Sequence, residues 1–227
     1  MNSLMTDPVA GVLDRLLAEA ELADRELHAG FADGTYSVRQ MLEEDAADFK
    51  GLCRDQVDYF LSIAPDLGRF LYMCARANRA TRIVEFGTSF GVSTIYLAAA
   101  VRDNGAGRVI TTELEPGKAE RARRNLAAAG LDDLVDVRVG DALDTLRSGV
   151  ETGVDLVLLD GAYHLYLPVL KLLEPRLAPG ALIVADNALD LDGEYLDHVR
   201  NPANGYLTVP LPFHPERGNN LSLFTGR

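Results

Sequence analysis

Basic residues are few in this chain of 227 residues, where 22 Lys and Arg face 34 Asp and Glu for a formal net charge of −12. Such a surface repels a phosphate backbone, so nucleic acid is a disfavoured partner. The one local basic run, Arg121, Arg123 and Arg124, follows Glu120 at helical spacing and reads as a solvated helix face. Cysteine is scarcer still. Cys53 and Cys74 are too few for a disulfide framework and have no paired zinc-site spacing, so both read as packing residues. Long apolar runs are also missing. No stretch approaches the ~18 consecutive apolar residues of a membrane span, and no basic region precedes an apolar signal core. These absences lead to the expectation of a cytoplasmic protein without a membrane segment. Hydrophobic residues, by contrast, make up 48% of the chain, enough for one large core at a length matching one doubly wound domain.

Val9, Val12, Leu13, Leu16, Leu17 and Ala20 recur at three-and-four spacing, which predicts an N-terminal amphipathic helix. Such a helix, ahead of the sheet, could cap a substrate pocket or meet a partner subunit. Further helices are expected over about 38 to 60 and from Asp66 after Pro65. From Arg82 onward, short apolar runs at 83–86, 109–113, 135–139, 156–159 and 182–185 alternate with helical segments near 91–100, 116–129, 142–147 and 163–177. Gly130 and the Pro179-Gly180 turn punctuate them. Strand–helix alternation with apolar strands predicts an α/β fold with a parallel sheet covered on both faces, and ligands at the carboxyl ends of its strands. A polar stretch from Asn187 to Gly205 then leads to two closing strands near 206–211 and 221–225.

The strand ends carry the chemistry. Glu85-Phe86-Gly87-Thr88-Ser89-Phe90-Gly91 closes the first strand, and its glycines let the backbone turn sharply beside a ligand. The loop lacks the G-x-G-x-x-G spacing of dinucleotide binders, which disfavours a nicotinamide enzyme. Glu113, 28 positions after Glu85, closes the second strand where a carboxylate can accept from both ribose hydroxyls. Its plainer reading is a charge at a helix N-terminus ahead of Pro116. Asp141 follows the third strand as a helix cap and a candidate for the adenine edge. Asp160 ends the fourth strand and Asp186-Asn187 the fifth, 26 residues further on. Two carboxylates and an amide oxygen form an all-oxygen set suited to a hard divalent cation such as Mg2+.

With Pro65-Asp66-Leu67-Gly68-Arg69-Phe70-Leu71 and Val84-Glu85-Phe86-Gly87-Thr88-Ser89-Phe90-Gly91-Val92-Ser93, the chain resembles the catechol and caffeoyl-coenzyme A O-methyltransferase family of class I methyltransferases, over roughly residues 60 to 190. The resemblance implies a Rossmann-like methyltransferase fold with a seven-stranded, mostly parallel sheet and extra N-terminal helices. It divides the chain into an N-terminal helical extension, 1–60, and a methyltransferase domain, 61–227. The implied cofactor is S-adenosylmethionine, with Glu85, Gly87, Thr88 and Ser93 at its methionine part, Glu113 at the ribose, Asp141 and Ala142 at the adenine, and Asp160 also within reach. Asp160, Asp186 and Asn187 match the family's metal ligands, commonly for Mg2+, which acidifies a hydroxyl of a vicinal diol. A homodimer is a family-level expectation.

One departure matters. Where the family often has a Lys or His base, three residues after Asp160, this chain has Tyr163, followed by His164. A neutral imidazole with a pKa of ~6.5 accepts a proton more readily than a tyrosine hydroxyl at ~10, so His164 is preferred over Tyr163 as the base. The segment Pro212-Phe213-His214-Pro215 with Asn219-Asn220 reads as a turn between closing strands, or as a wall for a ring substrate. The leading expectation is metal-assisted O-methylation of a small hydroxylated molecule. The alternatives are methylation of a hydroxylated tRNA base, against which the acidic charge argues, and a cofactor-binding protein without turnover.

Overall fold

The structure is a computed structural model that describes residues 2–188, 193–213 and 218–226. Its sheet is assembled from β1 (Arg82–Phe86), β2 (Arg108–Glu113), β3 (Val135–Val139), β4 (Val154–Leu159), β5 (Leu177–Ala185), β6 (Tyr206–Pro210) and β7 (Asn220–Phe224). The spatial order is β3-β2-β1-β4-β5-β7-β6. The first five strands pair in parallel, while β7 runs antiparallel to both β5 and β6. The expected seven-stranded, mostly parallel sheet is therefore present.

Side-chain alternation sends each central strand into two cores. Leu156 and Leu158 of β4 join the cluster on one face, and Val157 and Leu159 join the cluster on the other. The first face is covered by α1 (Val9–Ala23), α4 (Pro65–Ala77), α5 (Val92–Asn104) and α6 (Pro116–Ala128), and the second by α7 (Ala142–Thr145), α8 (Tyr166–Leu173) and α9 (Glu194–Arg200). Helix α5 is apolar nearly all round because it lies between the sheet and both α1 and α4. Since β1 and β4 are neighbours whose following helices go to opposite faces, their outgoing loops diverge and leave a crevice at the carboxyl edge.

The N-terminal stripe is buried as expected, through Val9, Val12, Leu13, Leu16 and Ala20, with Leu17 packed at its margin. It lies on α5 and α6 of the same chain, where Arg15 also donates to Asn125 Oδ1 at 3.0 Å. Two further helices precede the domain: α2 (Arg25–Asp33) and α3 (Val38–Asp55). A reciprocal Ser37/Gln40 capping box starts α3. Its axis breaks at Asp48 (φ −154°, ψ 74°), whose carboxylate accepts the Gly51 N–H at 2.9 Å and restarts the helix.

Several expected boundaries move. The helix expected to run to residue 60 stops at Asp55, and residues 59–64 belong to no regular element. The expected 163–177 helix is three pieces, a 3-10 turn at Tyr163–Leu165, α8, and a second 3-10 turn at Glu174–Arg176. Pro179-Gly180 does not turn the chain ahead of β5. Gly180 takes φ 87° within the strand, and the β4–β5 register shifts there, from Val154 opposite Leu177 to Leu156 opposite Leu182. The polar stretch after β5 contains α9, whose Tyr195, Leu196 and Val199 bury a face that its Asn-, Pro- and Gly-rich flanks obscure. In the segment expected to be a turn, Phe213 packs on Phe70, with ring centroids 5.3 Å apart, while His214 and Pro215 lie outside the described residues.

Candidate functional site

A cleft of about 1330 Å³, its open mouth included, occupies the crevice between the loops after β1 and β4. Its floor consists of strand ends. Gly87, at φ 104°, lies so close to the next strand that a Cβ there would meet the Asp160 carbonyl oxygen at 2.1 Å. Thr88, Ser93, Glu113, Asp141, Ala142, Asp160 and Asn187 line the cleft with it.

Glu113 is held by backbone amides, accepting from Ser89 N–H at 2.7 Å and Glu115 N–H at 2.9 Å. Burial raises its pKa, opposed by those amides and by the Lys118 ammonium. Asp141 accepts from Leu143 N–H at 3.0 Å, so the helix-cap reading holds while the residue also faces the cleft. Ser93 lies in the first turn of α5, whose free amides and dipole favour an anionic group such as an amino-acid carboxylate. Glu85 is beneath the loop and fully buried, not part of the cleft lining. Thr94 donates to its Oε2 at 2.5 Å, and burial pushes its pKa up to about 7 against the pull of the Ser93, Thr111 and Thr94 hydroxyls.

The metal candidates are on adjacent strand ends: Asp160 N–H donates to Phe86 O at 2.8 Å and Asp186 N–H to Leu159 O at 2.9 Å. Asn187 adopts φ 54°, a left-handed conformation unusual outside glycine, and its Nδ2 donates to Asp186 Oδ2 at 3.2 Å. Asp160 and Asn187 line the cleft and Asp186 is buried behind them. Among the described residues no three His, Cys, Asp or Glu side chains converge as a metal centre. An ion here would rest on two carboxylates and one amide oxygen, a hard-donor set that fits Mg2+. Tyr166 marks how acidic this corner is: its hydroxyl donates to Asp186 O at 2.8 Å, and burial together with the Asp160 and Asp186 carboxylates raises its pKa far above the usual value.

The roof consists of residues to which no sequence motif assigns a role. Helix α3 contributes Met41, Leu42, Asp45, Phe49, Leu52 and Cys53. Burial pushes the Cys53 thiol up to about 11, so it stays protonated where it lines the cleft, whereas Cys74 packs against the core as expected. Asp45, 8% exposed, accepts on Oδ2 from the His164 backbone N–H at 3.4 Å and pairs with His164 Nδ1 at 2.8 Å. Tyr163 and Asp45 face the cleft, whereas His164 faces an outer crevice that Asp45 also borders. Further along α3, Lys50 reaches Asp141 at 3.5 Å.

A short strap, residues 59–62, completes the roof beside the cofactor loop. Phe60 and Phe90 pack at a tilt of 57° with centroids 4.4 Å apart, and the Arg121 guanidinium lies over both rings. Lys118 Nζ donates to Tyr59 O at 2.8 Å. Helical spacing identified the amphipathic character of α1, but nothing in a local motif marks the strap or the residues that hold it.

Residues 84–188 match a protein family described as a methyltransferase domain. A catechol O-methyltransferase of Niastella koreensis is 39% identical over 140 residues, 60% of this chain and 62% of that one, so the chain spans less than two thirds of that relative's length. Catechol O-methyltransferase B of Danio rerio is 32% identical over 188 residues, covering 77% of this chain and 69% of the relative. Among solved structures, the O-methyltransferase TomG of Streptomyces achromogenes, in complex with SAM, superposes with a TM-score of 0.66 at 28% identity, covering 82% of this chain and 89% of that one. The described helices include none long and apolar enough to cross a membrane. The matched family over residues 84–188, the extent of the relatives' alignments and the shared fold agree that the chain belongs to the catechol O-methyltransferase family of class I methyltransferases.

Proposed function

We propose that this protein transfers a methyl group from S-adenosylmethionine to a hydroxyl of a small, catechol-type molecule with the help of a divalent cation such as Mg2+. The observation that carries the reading is the convergence of Glu113, Asp160 and Asn187 on one cleft, with Asp186 directly behind. Glu113 would hold the ribose, Gly87, Thr88 and Ser93 the methionine part, and Asp141 with Ala142 the adenine. Glu85, beneath the loop, supports that set from below. Residues 1–60 act as an extension whose α3 closes the cleft, and 61–227 as the methyltransferase domain.

Asp160, Asp186 and Asn187 would hold a divalent ion, which when bound would supply Lewis acidity to lower the pKa of the acceptor hydroxyl. The chain's own residues do the rest by placement. Met41, Leu42 and Phe49 shield an aromatic acceptor from water and press it towards the strand ends. Tyr163 contacts the acceptor, whereas His164, outside the cleft, holds Asp45 in place. The hydroxyl proton passes to Asp45 and leaves by way of His164, whose side chain is 33% exposed towards the outer crevice.

Asp160→Ala tests the reading. Turnover of a catechol with S-adenosylmethionine and Mg2+ should fall at least about a hundredfold, in line with the loss of a metal-supported step. Calorimetry should show ion binding lost. Unchanged ion affinity and unchanged turnover would remove the metal from the proposal.

A further inference from the structure

Asp24 joins α1 to α2 and is only 2% exposed, far from any strand end in sequence. Both of its carboxylate oxygens are used by the strap: Phe60 N–H donates to Oδ1 at 2.7 Å and Leu61 N–H to Oδ2 at 2.9 Å. Phe60 is buried, so without Asp24 its amide would lose its acceptor away from water, while the Leu61 amide is part-buried. The carboxylate also explains the backbone. Leu61 takes φ 49°, a left-handed value that costs a non-glycine residue energy unless its surroundings enforce it.

The strap is in turn linked to the cofactor loop. Ser89 Oγ donates to Phe60 O at 2.6 Å, and Ser89 is itself left-handed at φ 45°. Its backbone N–H is the one held by Glu113 Oε2. An unbroken chain of hydrogen bonds and peptide units therefore runs from Asp24 through Phe60 and Ser89 to Glu113. Phe60, Leu61, Ser89 and Glu113 all line the cleft.

From this geometry we infer that Asp24 is a positioning residue for the nucleoside cofactor, acting at a distance by holding the 59–62 strap and, through Ser89, the Glu113 carboxylate. The inference rests on the assignment of Glu113 to the cofactor made above. Asp24→Asn tests it, because an amide offers one acceptor oxygen where two N–H groups need one each. S-adenosylmethionine affinity by calorimetry should fall about tenfold, the loss of one hydrogen bond to a charged group. The cofactor KM should rise with it, and kcat at saturating cofactor should change far less.

Leu16→Ala, a cavity on the far side of α5, should lower the melting temperature without moving cofactor affinity, which separates positioning from general destabilisation. Ser89→Ala cuts the same chain of bonds at its other end. The Asp24→Asn/Ser89→Ala double variant should bind hardly worse than the weaker single variant, since both changes break one connection. Hydrogen exchange of the ligand-free protein adds an arm that needs no cofactor: amides of 60–62 and 89 should lose protection in Asp24→Asn. If that protection is unchanged, or if Asp24→Asn lowers stability without weakening the cofactor, the inference is overturned. Wild-type protein that does not bind the nucleoside overturns the proposed function instead, and the exchange arm still decides whether Asp24 orders the strap.

Discussion

The floor and the roof of the cleft obey different rules. The floor is a set of strand ends held by parallel pairing, on both sides for β1, β2 and β4 and on one side for β3 and β5, so its side chains arrive at positions that the backbone largely determines. The roof is α3 and the strap, attached to that frame by a few side-chain contacts: Asp45 to His164, Lys50 to Asp141, Asp24 to Phe60 and Leu61. In such an arrangement, damage to the floor should destroy the fold and the site together. Damage to the roof should change chemistry or affinity and spare the frame.

Gly87→Ala is the severest test on the floor side. The new methyl group would sit 2.1 Å from the Asp160 carbonyl oxygen at φ 104°, and neither strand can retreat. A loss of more than about 3 kcal/mol in urea denaturation is expected, from overpacking and backbone strain combined. Cofactor binding should disappear with it, and a stable Gly87→Ala protein would show the floor to be looser than its register implies.

Asp45→Asn probes the roof. It keeps the size of the side chain and removes the charge, so kcat for a catechol should fall about a hundredfold, the usual scale of general-base loss. Urea stability should move little. If kcat holds, the Asp45–His164 pair is a tether for α3 and takes no part in proton removal.

Glu85 sharpens the comparison through pH. Its folded pKa of about 7 lies above the ordinary 4.5, so the fold binds this proton more tightly than the unfolded chain does. Stability from the group is complete below pH 4.5 and is lost as pH rises through 7. Glu85→Gln stays neutral throughout. Its stability relative to wild type, measured without cofactor, should climb across that window by up to about 3 kcal/mol. A difference that does not vary with pH would mean that the floor holds Glu85 ionised.

The same contrast explains what could be read from sequence. Glu113, Asp160, Asp186 and Asn187 were legible because each ends an apolar run, and the alternation of runs and helices places run ends on one edge. Asp45 was not, since one carboxylate on an amphipathic helix looks like a solvated face until the helix is known to lie across a cleft. His164 looked like a base from its chemistry and its place after Asp160. Its orientation depends on a partner 119 residues away, which no local pattern encodes. Asp24 was silent for the same reason, as its two acceptors serve amides 36 and 37 residues further on. Pro179-Gly180 carried a strong turn signal, yet pairing with β4 on either side absorbed it as an irregularity within a strand.

The crevice itself owes nothing to any side chain. It exists because β1 and β4 lie side by side while the chain departs from them towards opposite faces. Where a guest molecule sits is thus inherited from the winding of the polypeptide, and on the proposed function which guest is accepted would be left to a helix supplied from outside the sheet. On the proposed reading, acceptor preference would be rewritten along Met41, Leu42 and Phe49, which line the cleft from α3, while the methyl-donor half of the machine is left as it stands.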